Sequence, residues 1–155
     1  MRGDKTFLDT NVLLYAFDTE SVQKYPTARK TVEDLWRSGT GILSTQVLQE
    51  FYVNVTKKIA RPVPLRAARD IMLDFLKWKV VVNDGGSLVG AIDIQAEYGY
   101  SFWDALIIQA ALEGGATLLL SEDLKDGQRI QGVTIRNPFR EAPPSQPIPA
   151  GSRRG

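Results

Sequence analysis

The chain has 155 residues, 43% hydrophobic and 24% charged, which suffices for one globular domain with a sizeable core. Its net charge is +1. With the three Arg and one Glu of the tail Arg140–Gly155 set aside, 19 basic against 18 acidic residues become 16 against 17, so any nucleic-acid binding has to come from local patches. There is no Cys and no His, which excludes disulfides, thiol nucleophiles, imidazole triads and ordinary zinc sites, and leaves carboxylates, hydroxyls, lysines or a hard metal held by oxygen.

The sequence runs straight into a first strand at about Lys5–Leu8, with no stretch expected to serve as a signal peptide. No apolar run approaches the roughly 18 residues of a transmembrane helix. The expected location is cytoplasmic. In Phe7–Phe17, FLDTNVLLYAF, Asp9-Thr10-Asn11 interrupts two apolar runs. The first run is too short for a helix and reads as a buried strand, and the second suits a short helix packed on it. Asp9 then stands at the carboxyl end of a parallel strand, where open α/β sheets bind ligands. The structural reading is that Asp9 caps the helix.

After the polar break Asp18–Ser21, Pro26 suits a helix's first turn, and Ala28, Val32, Leu35 and Trp36 form one apolar face up to Gly39. Gly41–Ser44 is a short strand whose end supplies helix caps in Ser44-Thr45. The next helix buries Val47, Leu48, Phe51, Tyr52, Val55 and Ile59, with Glu50 at the stripe's edge. A Glu there is ordinarily a surface residue, but a helix after a second parallel strand carries it toward the sheet edge of Asp9. Lys57, Lys58 and Arg61 complement the helix dipole or contact a phosphate backbone. Pro62–Pro64 is a connector, and Leu65–Lys77 an amphipathic helix through Leu65, Ala68, Ile71, Met72, Phe75 and Leu76. A strand at Val80–Val82, a turn at Asn83–Gly86 and a helix Leu88–Tyr98 capped by Ser87 follow. Asp93 reads as a solvated helix residue.

The helix in Tyr100–Leu112 is apolar nearly all round and reads as buried, with Asp104 as its one carboxylate and two aromatics flanking it. Gly114-Gly115 closes it. Thr117–Leu120 is a continuous apolar strand that delivers Ser121-Glu122-Asp123 and Asp126, and Val133–Arg136 is the last strand. Arg140–Gly155, rich in Pro, Gly and Arg, is expected to be a disordered tail outside a domain spanning 1–139.

Alternating strands and helices predict an α/β fold, a three-layer α/β/α sandwich around a central parallel sheet. In it Asp9, Glu50, Asp104 and Asp123 come from distant sequence to one crevice. Like charges gather there only if a cation neutralises them, and oxygen ligands point to Mg²⁺ or Mn²⁺. The chemistry this suits is metal-assisted phosphodiester hydrolysis.

The segments LDTNVLLYAF, STQVLQEF with Glu50, SFWDALIIQAA and LLLSEDLKDG, in this order and spacing, resemble the PIN domain family. Within it they are similar to the VapC-type toxin ribonucleases of bacterial toxin–antitoxin pairs, over about Thr6–Phe139. The resemblance implies a metal-binding quartet of Asp9, Glu50, Asp104 and Asp123, supported by Thr10, Asn11 and Ser121, with Glu122 and Asp126 as further acids beside Asp123. It also implies Mg²⁺- or Mn²⁺-dependent RNA cleavage, a homodimer and a cognate antitoxin. A non-catalytic RNA- or partner-binding module and a DNA-acting nuclease of the same fold are the alternatives. A haloacid-dehalogenase-type phosphatase needs a second Asp where Asn11 stands, and a flap nuclease needs a helical clamp that this chain lacks.

Overall fold

Phe7 and Leu8 have no solvent exposure because the strand that carries them lies inside a six-stranded sheet. The computed structural model describes residues 4–140; of the tail expected over Arg140–Gly155, all but Arg140 lies outside the described residues. β1 (Thr6–Leu8) leads into α1 (Thr10–Tyr15) and α2 (Tyr25–Ser38), then β2 (Gly41–Ser44), α3 (Thr45–Lys57), α4 (Leu65–Phe75) and β3 (Lys79–Val81). α5 (Gly85–Tyr98), α6 (Phe102–Gly114), β4 (Leu118–Leu120), β5 (Arg129–Ile130) and β6 (Val133–Arg136) complete the domain. The order across the sheet is β3-β2-β1-β4-β6-β5, parallel throughout except for β5 against β6.

This order decides where a site can form. The chain builds outward from β1 through β2 to β3, then returns to lay β4 on the other side of β1. The reversal at β1 and β4 opens a crevice at their carboxyl ends. Residue 9 follows β1, residue 121 follows β4, and the helix after β2 starts at residue 45. α1, α2 and α3 pack together, with α2 and α3 on β2, while α6 lies on β2 and β3 and α5 lies on α6. Gly114 allows α6 to approach closely: a Cβ there would stand 2.8 Å from Ile42 Cγ2.

Several expectations are corrected. The third strand is Lys79–Val81, one residue earlier than expected, so Val82 is exposed. Asp84, not Ser87, caps α5; Ser87 is the third residue of a capping box, its N–H donating to Asp84 Oδ1 while its Oγ accepts from the Asp84 N–H. α4 ends at Phe75, and only a narrow stripe through Ala68 and Phe75 is fully covered. Leu65 and Leu76 are 62% and 54% exposed, because α4 packs on α3 alone among the helices it meets extensively. Trp103 is 63% exposed rather than buried beside Asp104. β5 was not expected: its two residues are too few for a periodic signal. Its turn into β6 uses Gln131 (φ 48°) and Gly132 (φ 92°), a primed hairpin geometry that matches strand twist.

Candidate active site

Asp9 ends β1 with extended backbone and caps α1, its Oδ1 accepting from the Thr10 N–H at 2.7 Å. Its Oδ2 accepts from Ser121 Oγ at 2.8 Å, across the β1–β4 switch. Capping and a place in the crevice are therefore both properties of this residue. Asp9 is buried, and its pKa is pushed up to about 6 by that burial, against the lowering effect of the Ser121 and Thr10 hydrogen bonds and with further increase from Asp123 and Glu50.

The three polar residues around Asp9 each hold one acid. Thr10 Oγ1 donates to Glu50 Oε1 at 2.6 Å, Asn11 Nδ2 donates to Asp123 Oδ2 at 3.0 Å, and Ser121 Oγ holds Asp9 while accepting from the Asp123 N–H at 3.1 Å. Asp104 lies in the first turn of α6, where its N–H donates to Ser101 Oγ at 3.2 Å. Its carboxyl is half-buried and its pKa is raised, first by desolvation and then by the charges of Asp123 and Glu50. Glu50 and Asp123 are exposed, so the site opens from a buried floor at Asp9 to a solvated rim.

Gln46 was not expected from sequence. It is 7% exposed in the first turn of α3, and its Nε2 donates to Glu50 Oε2 at 3.2 Å and to the Trp103 carbonyl at 3.4 Å. It thus ties Glu50 to the turn that carries Asp104. Its Oε1 is buried with no hydrogen-bond partner among the described residues. Nothing in a glutamine one residue into a helix distinguishes it from a solvated one.

The other two acids of the last motif point elsewhere. Glu122 Oε2 pairs with Lys24 Nζ at 2.6 Å. Asp126, expected beside the quartet, instead accepts from the Asn137 N–H at 2.8 Å and from Arg140 at 2.7 Å, and these bonds hold its pKa below the usual value. Its role is to fix the turn after β6.

Among the described residues, Asp9, Glu50, Asp104 and Asp123 make no ion pair. Their charge is uncompensated by the protein, which suits a cation. Yet among the described residues no three acidic side chains stand close enough to hold an ion by themselves. A preformed cage is not what Mg²⁺ requires: it binds through one or two carboxylates and keeps several waters or substrate oxygens. The donor set, all oxygen and including the orphaned Gln46 Oε1, fits such an ion in kind.

The raised pKa of Asp9 has a consequence for stability. In the folded state Asp9 binds its proton at about 6 rather than 3.8, so ionising it opposes folding. The favourable contribution is complete below the unfolded value and is lost as pH rises through about 6. At 1.36 kcal/mol per pH unit this amounts to about 3 kcal/mol. In EDTA, Asp9→Asn should be more stable than wild type near neutral pH by up to that amount, and the two should converge toward pH 4. Denaturant unfolding across this range checks it; a gap independent of pH would contradict it.

A sequence profile of the PIN domain matches residues 6–129. Several solved structures share the fold. The VapC20 toxin of Mycobacterium tuberculosis, described as cleaving the sarcin–ricin loop, is 20% identical, with 77% of this chain and 92% of that chain covered and a TM-score of 0.59. A toxin–antitoxin complex from Klebsiella pneumoniae is 18% identical, covering 86% and 98%, with a TM-score of 0.64. DNA-bound VapBC from Salmonella typhimurium is 18% identical, covering 87% and 98%, with a TM-score of 0.60. No curated protein matches the chain.

Proposed function

Because the chain belongs to the PIN domain family, we propose that it is a ribonuclease that hydrolyses RNA phosphodiester bonds, uses Mg²⁺ or Mn²⁺, and is the toxin of a toxin–antitoxin pair. The observation that carries this reading is the set of four acids at the β1–β4 switch, coupled in charge and unpaired with any base among the described residues. Asp9, Glu50, Asp104 and Asp123 would hold the ion. Such an ion supplies Lewis-acid activation of the attacking water and neutralises charge on the scissile phosphate.

The chain's own residues prepare the site. Thr10, Asn11 and Ser121 each donate to one carboxylate oxygen of Glu50, Asp123 and Asp9, and the Thr10 N–H and Gln46 donate to the second oxygens of Asp9 and Glu50. These carboxylates are thus held in fixed directions, with their further lone pairs left for a cation. Asp9, with its pKa near 6, is ionised at neutral pH and available as a ligand. The exposed rim at Glu50 and Asp123 admits a polymer strand from solvent. A cognate antitoxin, a homodimer and a cytoplasmic RNA target complete the reading, in keeping with the toxin–antitoxin complexes that share the fold. The second reading is a non-catalytic binding module, favoured by the spacing of the acids, no three of which form an ion cage among the described residues.

Cleavage of a single-stranded RNA and a single-stranded DNA of equal sequence, each with Mn²⁺ and with EDTA, tests the proposal. The expected result is cleavage of RNA only, with Mn²⁺ only, together with growth arrest on expression that Asp9→Ala relieves. Folded wild-type protein that cuts neither polymer and leaves growth unaffected would establish the binding module instead, and cleavage of DNA alone would make it a DNA nuclease.

A further inference from the structure

A cavity of about 380 Å³ lies against the loop that carries Asp123, lined by Gln23, Lys24, Thr27, Pro138, Phe139 and Arg140. Its size is within the range of small-ligand sites, about 300–1,000 Å³. Consecutive residues of the loop serve the two places: Asp123 is held by Asn11 in the acidic crevice, and Glu122 is held by Lys24 at the cavity wall. The same loop therefore reaches both the acidic crevice and the wall of the cavity.

We propose that the cavity is a subsite for the RNA strand, taking a backbone phosphate at Lys24 and Arg140 and the attached nucleoside against Phe139, Gln23 and Thr27. This rests on the ribonuclease reading above and extends it to how the substrate is held. The acidic crevice repels a polyanion, so binding needs cations nearby. Lys24 and Arg140 supply such cations, each paired with one acid of the loop, Glu122 and Asp126, and Arg136 adds a further positive charge near Asp126.

Both cations are held in position with donors to spare. An ammonium has three N–H donors and a guanidinium five. Lys24 gives one to Glu122 at 2.6 Å and one to Tyr15 Oη at 3.3 Å, and Arg140 gives one to Asp126. Their side chains are 34% and 64% exposed. Phe139 is half-buried, held in a T-shaped contact by Tyr15 at 5.3 Å between centroids, with Lys24 Nζ 5.6 Å from its own centroid, so ring and ammonium are fixed side by side. Aromatic surface beside cations is how single-stranded RNA is bound, and Gln23 and Thr27, both exposed, add neutral hydrogen-bonding groups.

The plain alternative is that Lys24 and Arg140 only brace the loop. Two variants of the full chain separate the readings: Arg140→Gln, and Lys24→Gln combined with Glu122→Gln so that no acid is left unpaired beside the crevice. Binding of a labelled single-stranded RNA in EDTA should weaken about fivefold to tenfold in each, and the slope of log K against log salt should fall by about 1 per cation removed. With Mn²⁺ the effect on KM should exceed that on kcat. Unchanged affinity and unchanged salt slope in both variants, with circular dichroism showing the fold intact, would overturn the subsite. If wild type binds RNA in this manner but never cuts it, the ribonuclease reading fails and the subsite stands; if it cuts RNA and neither variant differs in binding, only the subsite fails.

Discussion

Asp104→Asn is expected to lose RNA cleavage by at least about a hundredfold while keeping the fold. The substitution preserves size and hydrogen bonding and removes one negative charge. Asp104 is half-buried, and its N–H donates to Ser101 Oγ, a bond that Asn keeps, so the helix start survives the change. On the proposed reading, what is lost is one of four charges that together attract and orient the ion. Removing a single electrostatic contributor at a catalytic centre costs about 10²–10³ in rate, and the losses from groups acting as a unit do not add. Asp9→Asn should fall as far, and the double variant hardly further. Single-turnover cleavage of RNA in Mn²⁺ checks this; an Asp104→Asn protein with full activity would remove Asp104 from the site.

The second large effect is on stability. Asp9 and Asp104 both have raised pKa values, each owing first to burial and then to neighbouring acids. Ionising them at neutral pH therefore opposes folding in the absence of a cation. An ion that binds only the folded state adds RT ln(1 + [L]/Kd), about 2.7 kcal/mol at a hundredfold excess over Kd. At roughly 2–4 °C per kcal/mol for a domain of this size, saturating Mn²⁺ should raise the Tm of wild type by roughly 5–10 °C.

The positions of Asp9, Glu50, Asp104 and Asp123 were legible because each stands at a predictable place on an element. A strand end, a helix after a strand and the first turn of a buried helix are all written in apolar periodicity. The division of labour within Ser121–Gly127 was not. Three acids stand there in five positions, and only the turn at Asn137–Arg140, distant in sequence, draws Asp126 away. Lys24 reads as a loop lysine until Glu122 is seen beside it, and Gln46 as a solvated glutamine until α6 covers it. Trp103 shows the opposite failure: the apolar character of its helix argued for burial, but on the first turn of α6 it packs against the Phe102 ring and remains largely exposed. Periodicity assigns a residue to a face; it does not say what lies against that face.

The central claim is that four acids act as one cation-holding site, although no three of them form a cage as they stand among the described residues. Thermal melts of wild type and Asp104→Asn, each in EDTA and in saturating Mn²⁺, test it most directly. Asp104→Asn should melt higher than wild type in EDTA, because one repelling charge is gone, and should gain distinctly less than wild type when Mn²⁺ is added. Equal gains in the two proteins would contradict it and leave Asp104 as a residue of the helix start alone.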